Sequence, residues 1–198
     1  MNVGVLVSGE GTNLQALLDA EKRGELDPGT ISVVVSNVPT AHALARAEAA
    51  GKPAIAIDHR GRTRVEFEDL ALAALAGVEL VVLAGFMRVL TSHFLDRFAW
   101  RVINTHPSLL PAYKGKDAPA QALAAGASIS GVTVHYVDPT VDGGPIIAQA
   151  QVSVLPGDVA ETLHARIKAE EHVLLPRIVQ QIAAGKISYQ DGRVELID

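Results

Sequence analysis

Cysteine is absent from the 198 residues. That removes disulfides, thiolate metal ligands and a cysteine nucleophile together. Aromatic residues make up only 4% of the chain, so a core has to be assembled from Val, Leu, Ile and Ala. There is no basic run, and 17 Lys and Arg against 22 Asp and Glu leave a formal charge of −5. A general binder of nucleic-acid phosphates is therefore not expected. No stretch approaches the ~18–20 apolar residues of a membrane span. The N-terminus, Met1-Asn2-Val3-Gly4-Val5, lacks the basic segment and long apolar stretch of a secretory signal. The expectation is a cytoplasmic protein with small-molecule substrates, no nucleic-acid or membrane partner, and a monomeric or homodimeric state. The length fits one domain over residues 1–198.

What is present is alternation. Short apolar runs at 3–7, 31–36, 54–57, 80–84 and 102–104 are separated by Ala/Leu/Glu/Arg-rich stretches with helical spacing at 13–22, 41–50, 65–76 and 91–98. Gly24, Gly51 and Gly77 follow three of these stretches, where helix C-caps belong. Continuous apolar strands are buried on both faces, and the strand–helix alternation implies right-handed crossovers into a parallel sheet. The second half differs. Two extended stretches, 131–138 and 146–154, are joined by the turn-rich segment 139–145, too short a link for anything but an antiparallel pair. Asp158 reads as a helix N-cap with Glu161 as its capping-box partner. That helix meets Pro176 and continues to Ala183, and residues 186–197 read as a hairpin around Asp191-Gly192. The fold class is therefore α/β: a doubly wound, mostly parallel sheet with antiparallel C-terminal strands, in which ligands sit beyond the carboxyl ends of the parallel strands.

Three segments carry candidate chemistry. Ser8-Gly9-Glu10-Gly11-Thr12-Asn13 follows a strand and opens a helix, so its N–H groups can meet an anion; it also serves as an ordinary tight turn. It lacks the third glycine of a dinucleotide fingerprint and the Gly-Lys-Ser/Thr of a P-loop, so a single phosphate fits better. Asn104-Thr105-His106-Pro107-Ser108-Leu109-Leu110-Pro111 closes the fifth parallel strand. Asn104 and His106 are two apart and share a face, an amide donor beside a titratable imidazole. Asp138-Pro139-Thr140-Val141-Asp142-Gly143-Gly144-Pro145 has the composition of any turn. Asp142 gains interest only if it approaches His106, which spacing does not decide. His42, His59, His93, His135, His164 and His172 are scattered without ligand spacing, so no metal is expected. His164, Lys168 and Glu171 form a polar helix stripe, for which an exposed, solvated face is the simple reading.

Together these segments resemble the formyltransferases that use 10-formyltetrahydrofolate, most closely the glycinamide ribonucleotide branch. The likeness runs from Val3 to about Gly185. It rests on the Ser8-to-Asn13 loop, Leu83-Ala84-Gly85-Phe86-Met87-Arg88-Val89-Leu90, the Asn104-to-Pro111 segment, Gly131-Val132-Thr133-Val134-His135 and Val141-Asp142-Gly143-Gly144-Pro145-Ile146-Ile147. The resemblance implies a Rossmann-like formyltransferase fold and catalytic roles for Asn104, His106 and Asp142. It implies ribonucleotide binding by Gly11, Thr12, Asn13, Lys168 and Glu171. It implies folate contacts from Arg64, Met87, Arg88, Val89, Leu90, Asn104, Asp138, Val141 and Asp142. 10-Formyltetrahydrofolate enters as formyl donor, without a metal. The chain departs from the family at Asp117, where a histidine or asparagine is frequent.

Neighbouring readings remain. A methionyl-tRNA formyltransferase would need a further basic C-terminal domain, whereas this sequence stops at Asp198. A formyltetrahydrofolate hydrolase would carry an N-terminal regulatory domain and a different loop after the histidine. A non-catalytic phosphosugar-binding module would need the glycine loop but not Asn104, His106 and Asp142 together.

Overall fold

The computed structural model describes residues 1–197. In its first half the strands β1 (Asn2–Val7), β2 (Thr30–Ser36), β3 (Ala54–Ala56), β4 (Leu80–Leu83) and β5 (Val102–His106) alternate with helices. These are α1 (Thr12–Lys22), α2 (His42–Ala49), α3 (Arg64–Ala74) and α4 (Ser92–Leu95). There follow α5 (Ala118–Ala124), the strands β6 (Ile129–Tyr136) and β7 (Ile146–Ser153), and the long helix α6 (Ala160–Ala183). The described chain closes on a two-stranded ribbon, β8 (Ile187–Gln190) and β9 (Arg193–Leu196).

The main sheet has the order β3-β2-β1-β4-β5-β6-β7. The first five of these pair in parallel, while β5–β6 and β6–β7 are antiparallel. Strand residues are apolar on both faces because both faces are covered. Val3, Val5 and Val7 pack with residues of α1 and α6, whereas Leu6, Val81 and Leu83 pack with Phe67 of α3 and Phe94 of α4. Each such side chain withdrawn from water contributes roughly 1.5–3 kcal/mol, and most of them are aliphatic. From β1 the chain turns to β2 on one side and later to β4 on the other, leaving a crevice beyond the carboxyl ends of β1, β4 and β5.

The doubly wound sheet and the antiparallel pair match the expectation from sequence; three local expectations shift. The helix expected to open at Asp158 is capped one residue later, at Val159, whose N–H donates to Thr162 Oγ1 at 3.0 Å. Asp158 instead accepts from Leu155 N–H at 2.7 Å and pairs with Arg166. The guanidinium holds its carboxyl well below the usual carboxylate range. The stretch 91–98 forms only a short helix, Ser92–Leu95, after which turns lead to Ala99 and Trp100 at positive φ just before β5. β5 itself extends to His106 because β6 pairs with it over that length. Pro176 lies within the continuous α6.

Candidate active site

β5 organises the site. Its alternation puts Asn104 and His106 on one face and Thr105 on the other, beside Ile103. His106 is buried, and its Nε2 donates to the Tyr113 carbonyl at 2.8 Å. Its Nδ1 lies 3.3 Å from Asp142 Oδ2. Both ring nitrogens thus face acceptors, an arrangement satisfied in full when both carry protons. Asp142 is set for this contact by the β6–β7 link: it sits at φ 48°, and its Oδ2 also accepts the Gly115 N–H at 2.8 Å. The link doubles back closely, and a Cβ at Gly144 would lie 1.9 Å from the Tyr136 carbonyl oxygen. Any side chain there would push the end of β6 away from the link that carries Asp142.

Asn104 has its own support. β6 pairs it with His135, whose Nε2 is 3.1 Å from Asn104 Nδ2. His135 Nδ1 faces the Tyr136 carbonyl at 2.8 Å, so Nδ1 carries the proton and Nε2 accepts from the amide. Burial pushes the His135 pKa down, overriding the opposing pull of Asp142, so the ring stays neutral and keeps that lone pair. The Asn104 amide is thereby held with its second N–H lacking a partner among the described residues.

The glycine loop lies alongside. Gly11, at φ 73°, is the N-cap of α1, and no side chain caps that helix. The Thr12 and Asn13 N–H groups therefore have no acceptor among the described residues, as an anion cradle requires. Asn13 Oδ1 is buried without a partner among the described residues. Ser8 ties this loop to the next one, donating to Asn37 Oδ1 at 2.6 Å and accepting from Met87 N–H at 2.8 Å. Met87 and Val89 are exposed, Leu90 is buried, and the Arg88 guanidinium stacks 5.2 Å above the Phe67 ring.

These segments meet at one cleft of about 900 Å³. Gly11, Thr12, Asn13, Met87, Arg88, Val89, Leu90, Asn104, His106, Asp138, Val141, Asp142, Lys168 and Glu171 line it, as does Asp117. Arg64 does not: it stands exposed at the start of α3, outside the lining. The solvated-face reading of the α6 stripe is overturned for Glu171, which is 5% exposed and accepts a hydrogen bond from Thr105. His164 and Lys168 border the cleft with it. Among the described residues no group of three or more His, Asp or Glu is arranged to hold a metal ion.

Sequence reasoning named His135, Thr105 and His164 without giving them a role, and did not reach the Tyr113 carbonyl or the Gly115 N–H. His135 was within reach, because antiparallel pairing of β6 with β5 sets it opposite Asn104. The two backbone groups carry no sequence signal at all.

Chemically, the cleft joins an N–H-rich anion cradle, an apolar wall with unpaired backbone groups, and a carboxylate–imidazole–amide cluster. That combination defines a doubly wound α/β protein suited to transferring an acyl group between a phosphorylated substrate and a flat apolar one. A family model described as formyl transferase matches residues 1–179, and the chain belongs to that family. It is 39% identical over 194 residues to the phosphoribosylglycinamide formyltransferase of Haemophilus influenzae, covering 96% of this chain and 91% of that protein. It is 41% identical over 197 residues to the human trifunctional purine biosynthetic protein adenosine-3, covering 97% of this chain but only 19% of that longer protein. The crystal structure of glycinamide ribonucleotide transformylase 1 from Symbiobacterium toebii superposes with a TM-score of 0.96 at 44% identity, covering 100% of this chain and 94% of that one.

Proposed function

We propose that this chain transfers the formyl group of 10-formyltetrahydrofolate to the amine of N1-(5-phosphoribosyl)glycinamide. The products are the N-formyl ribonucleotide and tetrahydrofolate, a step of de novo purine synthesis assigned to the cytoplasm, and residues 1–198 work as one catalytic domain. The observation that carries this reading is the His106–Asp142 contact beside Asn104, in the same cleft as the uncapped helix start. In this reading Gly11, Thr12, Asn13 and Lys168 hold the substrate phosphate, and Glu171 takes its sugar.

The residues present suit a folate. Leu90, Phe86 and Val137 offer an apolar slot, and the N–H groups of Arg88, Val89 and Leu90 have no partner among the described residues. A flat heterocycle with donors and acceptors on its edge needs both features. Met87 to Leu90 and Asp138 to Asp142 flank it, and Arg64 meets the acidic tail outside the cleft. When bound, the folate supplies a formyl carbon attached to nitrogen. As the amine attacks, Asn104 Nδ2 donates to the oxygen on which negative charge grows, with the His106 ring alongside on the same strand face. The proton released by the attacking amine passes by way of His106 to the departing folate nitrogen, and Asp142 keeps the ring oriented.

The test is formyl transfer by the purified protein with each substrate omitted in turn. Tetrahydrofolate should form only when both glycinamide ribonucleotide and the formyl donor are present. Formate release without the ribonucleotide would make it a hydrolase. Ribonucleotide binding without turnover would make it a phosphosugar-binding module. The names of the similar proteins give neither alternative support.

A further inference from the structure

Glu171 combines two features that conflict unless something reconciles them: it borders the cleft, yet it is withdrawn from water. A buried carboxylate needs donors. Its Oε1 accepts from Thr105 Oγ1 at 2.8 Å, and among the described residues its Oε2 has no partner. The two residues belong to different layers, since Thr105 sits on β5 between Asn104 and His106 while Glu171 is on α6. Because β5 alternates, the residue separating the two cluster residues points through the sheet towards α6. A carboxylate only accepts, so the threonine hydroxyl is the donor. β-Branching restricts χ1, so the direction of that donor is fixed more firmly than a serine would fix it.

We propose that Thr105 is a positioning residue for the ribonucleotide subsite. Its hydroxyl locks one oxygen of Glu171, so that the other stands ready for the hydroxyls of the sugar. The proposal rests on the reading of the substrate as a phosphoribosyl amine. It also gives β5 two roles, with the transfer chemistry on one face and, on the other, the placing of the group that recognises the sugar. Side-chain truncation at Thr105 should therefore affect substrate recognition and leave the chemical step alone.

Thr105→Val keeps the volume and the branch while removing the hydroxyl. It should raise the ribonucleotide KM and Kd about tenfold, as expected for losing one hydrogen bond to a charged group. The kcat at saturation, its pH profile and the folate KM should stay within about twofold of the parent. Thr105→Ser should recover most of the lost affinity. In a Glu171→Ala background, where the acceptor is already gone, Thr105→Val should cost far less, a coupling visible in the double-mutant cycle. An unchanged ribonucleotide Kd in Thr105→Val, or additive losses in the cycle, would overturn the proposal. So would a parallel fall in kcat and folate affinity, which marks a distorted strand. A parent protein that does not bind the ribonucleotide would overturn the functional reading as well, whereas a binding parent with an unaffected valine variant overturns the role of Thr105 alone.

Discussion

At the scale of single residues the site depends on who faces whom. Asp142 has one oxygen shared between the His106 ring and the Gly115 N–H, at 3.3 and 2.8 Å, and the other 3.7 Å from His135. An asparagine at this position can still accept from Gly115 but no longer offers charge to His106. Asp142→Asn should therefore melt close to the parent and lose roughly 10²- to 10⁴-fold in kcat, the span that positioned proton-transfer groups contribute. Combining it with His106→Ala should add little, because groups acting as a unit are not additive. A fully active Asp142→Asn protein would return the aspartate to the status of a turn residue. Asn104 and His106 were legible because strand period alone puts them together. The Asp142 contact was not, since it depends on how the β6–β7 link folds back over β5. The burial of Glu171 was misjudged for a related reason: helical spacing gives a face but does not tell what that face meets.

At the scale of elements, the junction of β1, α1 and α2 is the point where fold and binding share the same atoms. Gly11 takes φ 73° to start α1, and a Cβ there would come within 2.5 Å of Ala43 Cβ and 2.8 Å of Ala43 Cα. The contact is with the helix α2 itself, so no flexible side chain can give way. Gly11→Ala should cost about 2–5 kcal/mol, adding left-handed strain to overpacking. It should lower the melting temperature and ribonucleotide affinity together, with less effect on folate binding. Normal stability would mean that α2 moves freely, and the loop would lose its claim to be a preset cradle. Gly9, whose Cβ would meet nothing, supplies the matched control in the same loop. The alternation of elements was readable throughout, and their ends were less so. β5 is longer than its apolar run because pairing with β6 carries the polar Thr105 and His106 into the strand. The α6 cap moved by one residue because Arg166, two turns on, claims Asp158, an ion pair that local capping rules do not anticipate.

At the scale of the whole molecule, the crevice beyond β1, β4 and β5 follows from strand order and was implied by the alternation of the first half. His135, which this packing encloses, and the half-buried His164 and His172 give the fold a pH signature that the sequence did not announce. His135, His164 and His172 all have their pKa pushed down, in each case chiefly by burial, with Lys168 adding to the effect on the two helix residues. In the unfolded chain they titrate near the ordinary value of about 6.5. Between that value and their lower native ones the unfolded state binds more protons than the native state, so stability rises with pH across the window. Their favourable contribution is complete above the unfolded value, is lost as pH falls through the window, and changes no further below the native values. Asp158, held well below the carboxylate range by Arg166, loses its own contribution only at more acidic pH, so the two effects separate. Urea midpoints measured from pH 8 to 5 should accordingly fall, with most of the change beginning near pH 6.5. His164→Gln and His172→Gln together should flatten part of that slope while leaving the acid limb of Asp158 in place. His172 is the cleaner of the two, because its Nε2 is buried without a hydrogen-bond partner among the described residues. A midpoint flat between pH 7 and 5, or a slope unaltered in the double variant, would show that burial does not hold these rings neutral.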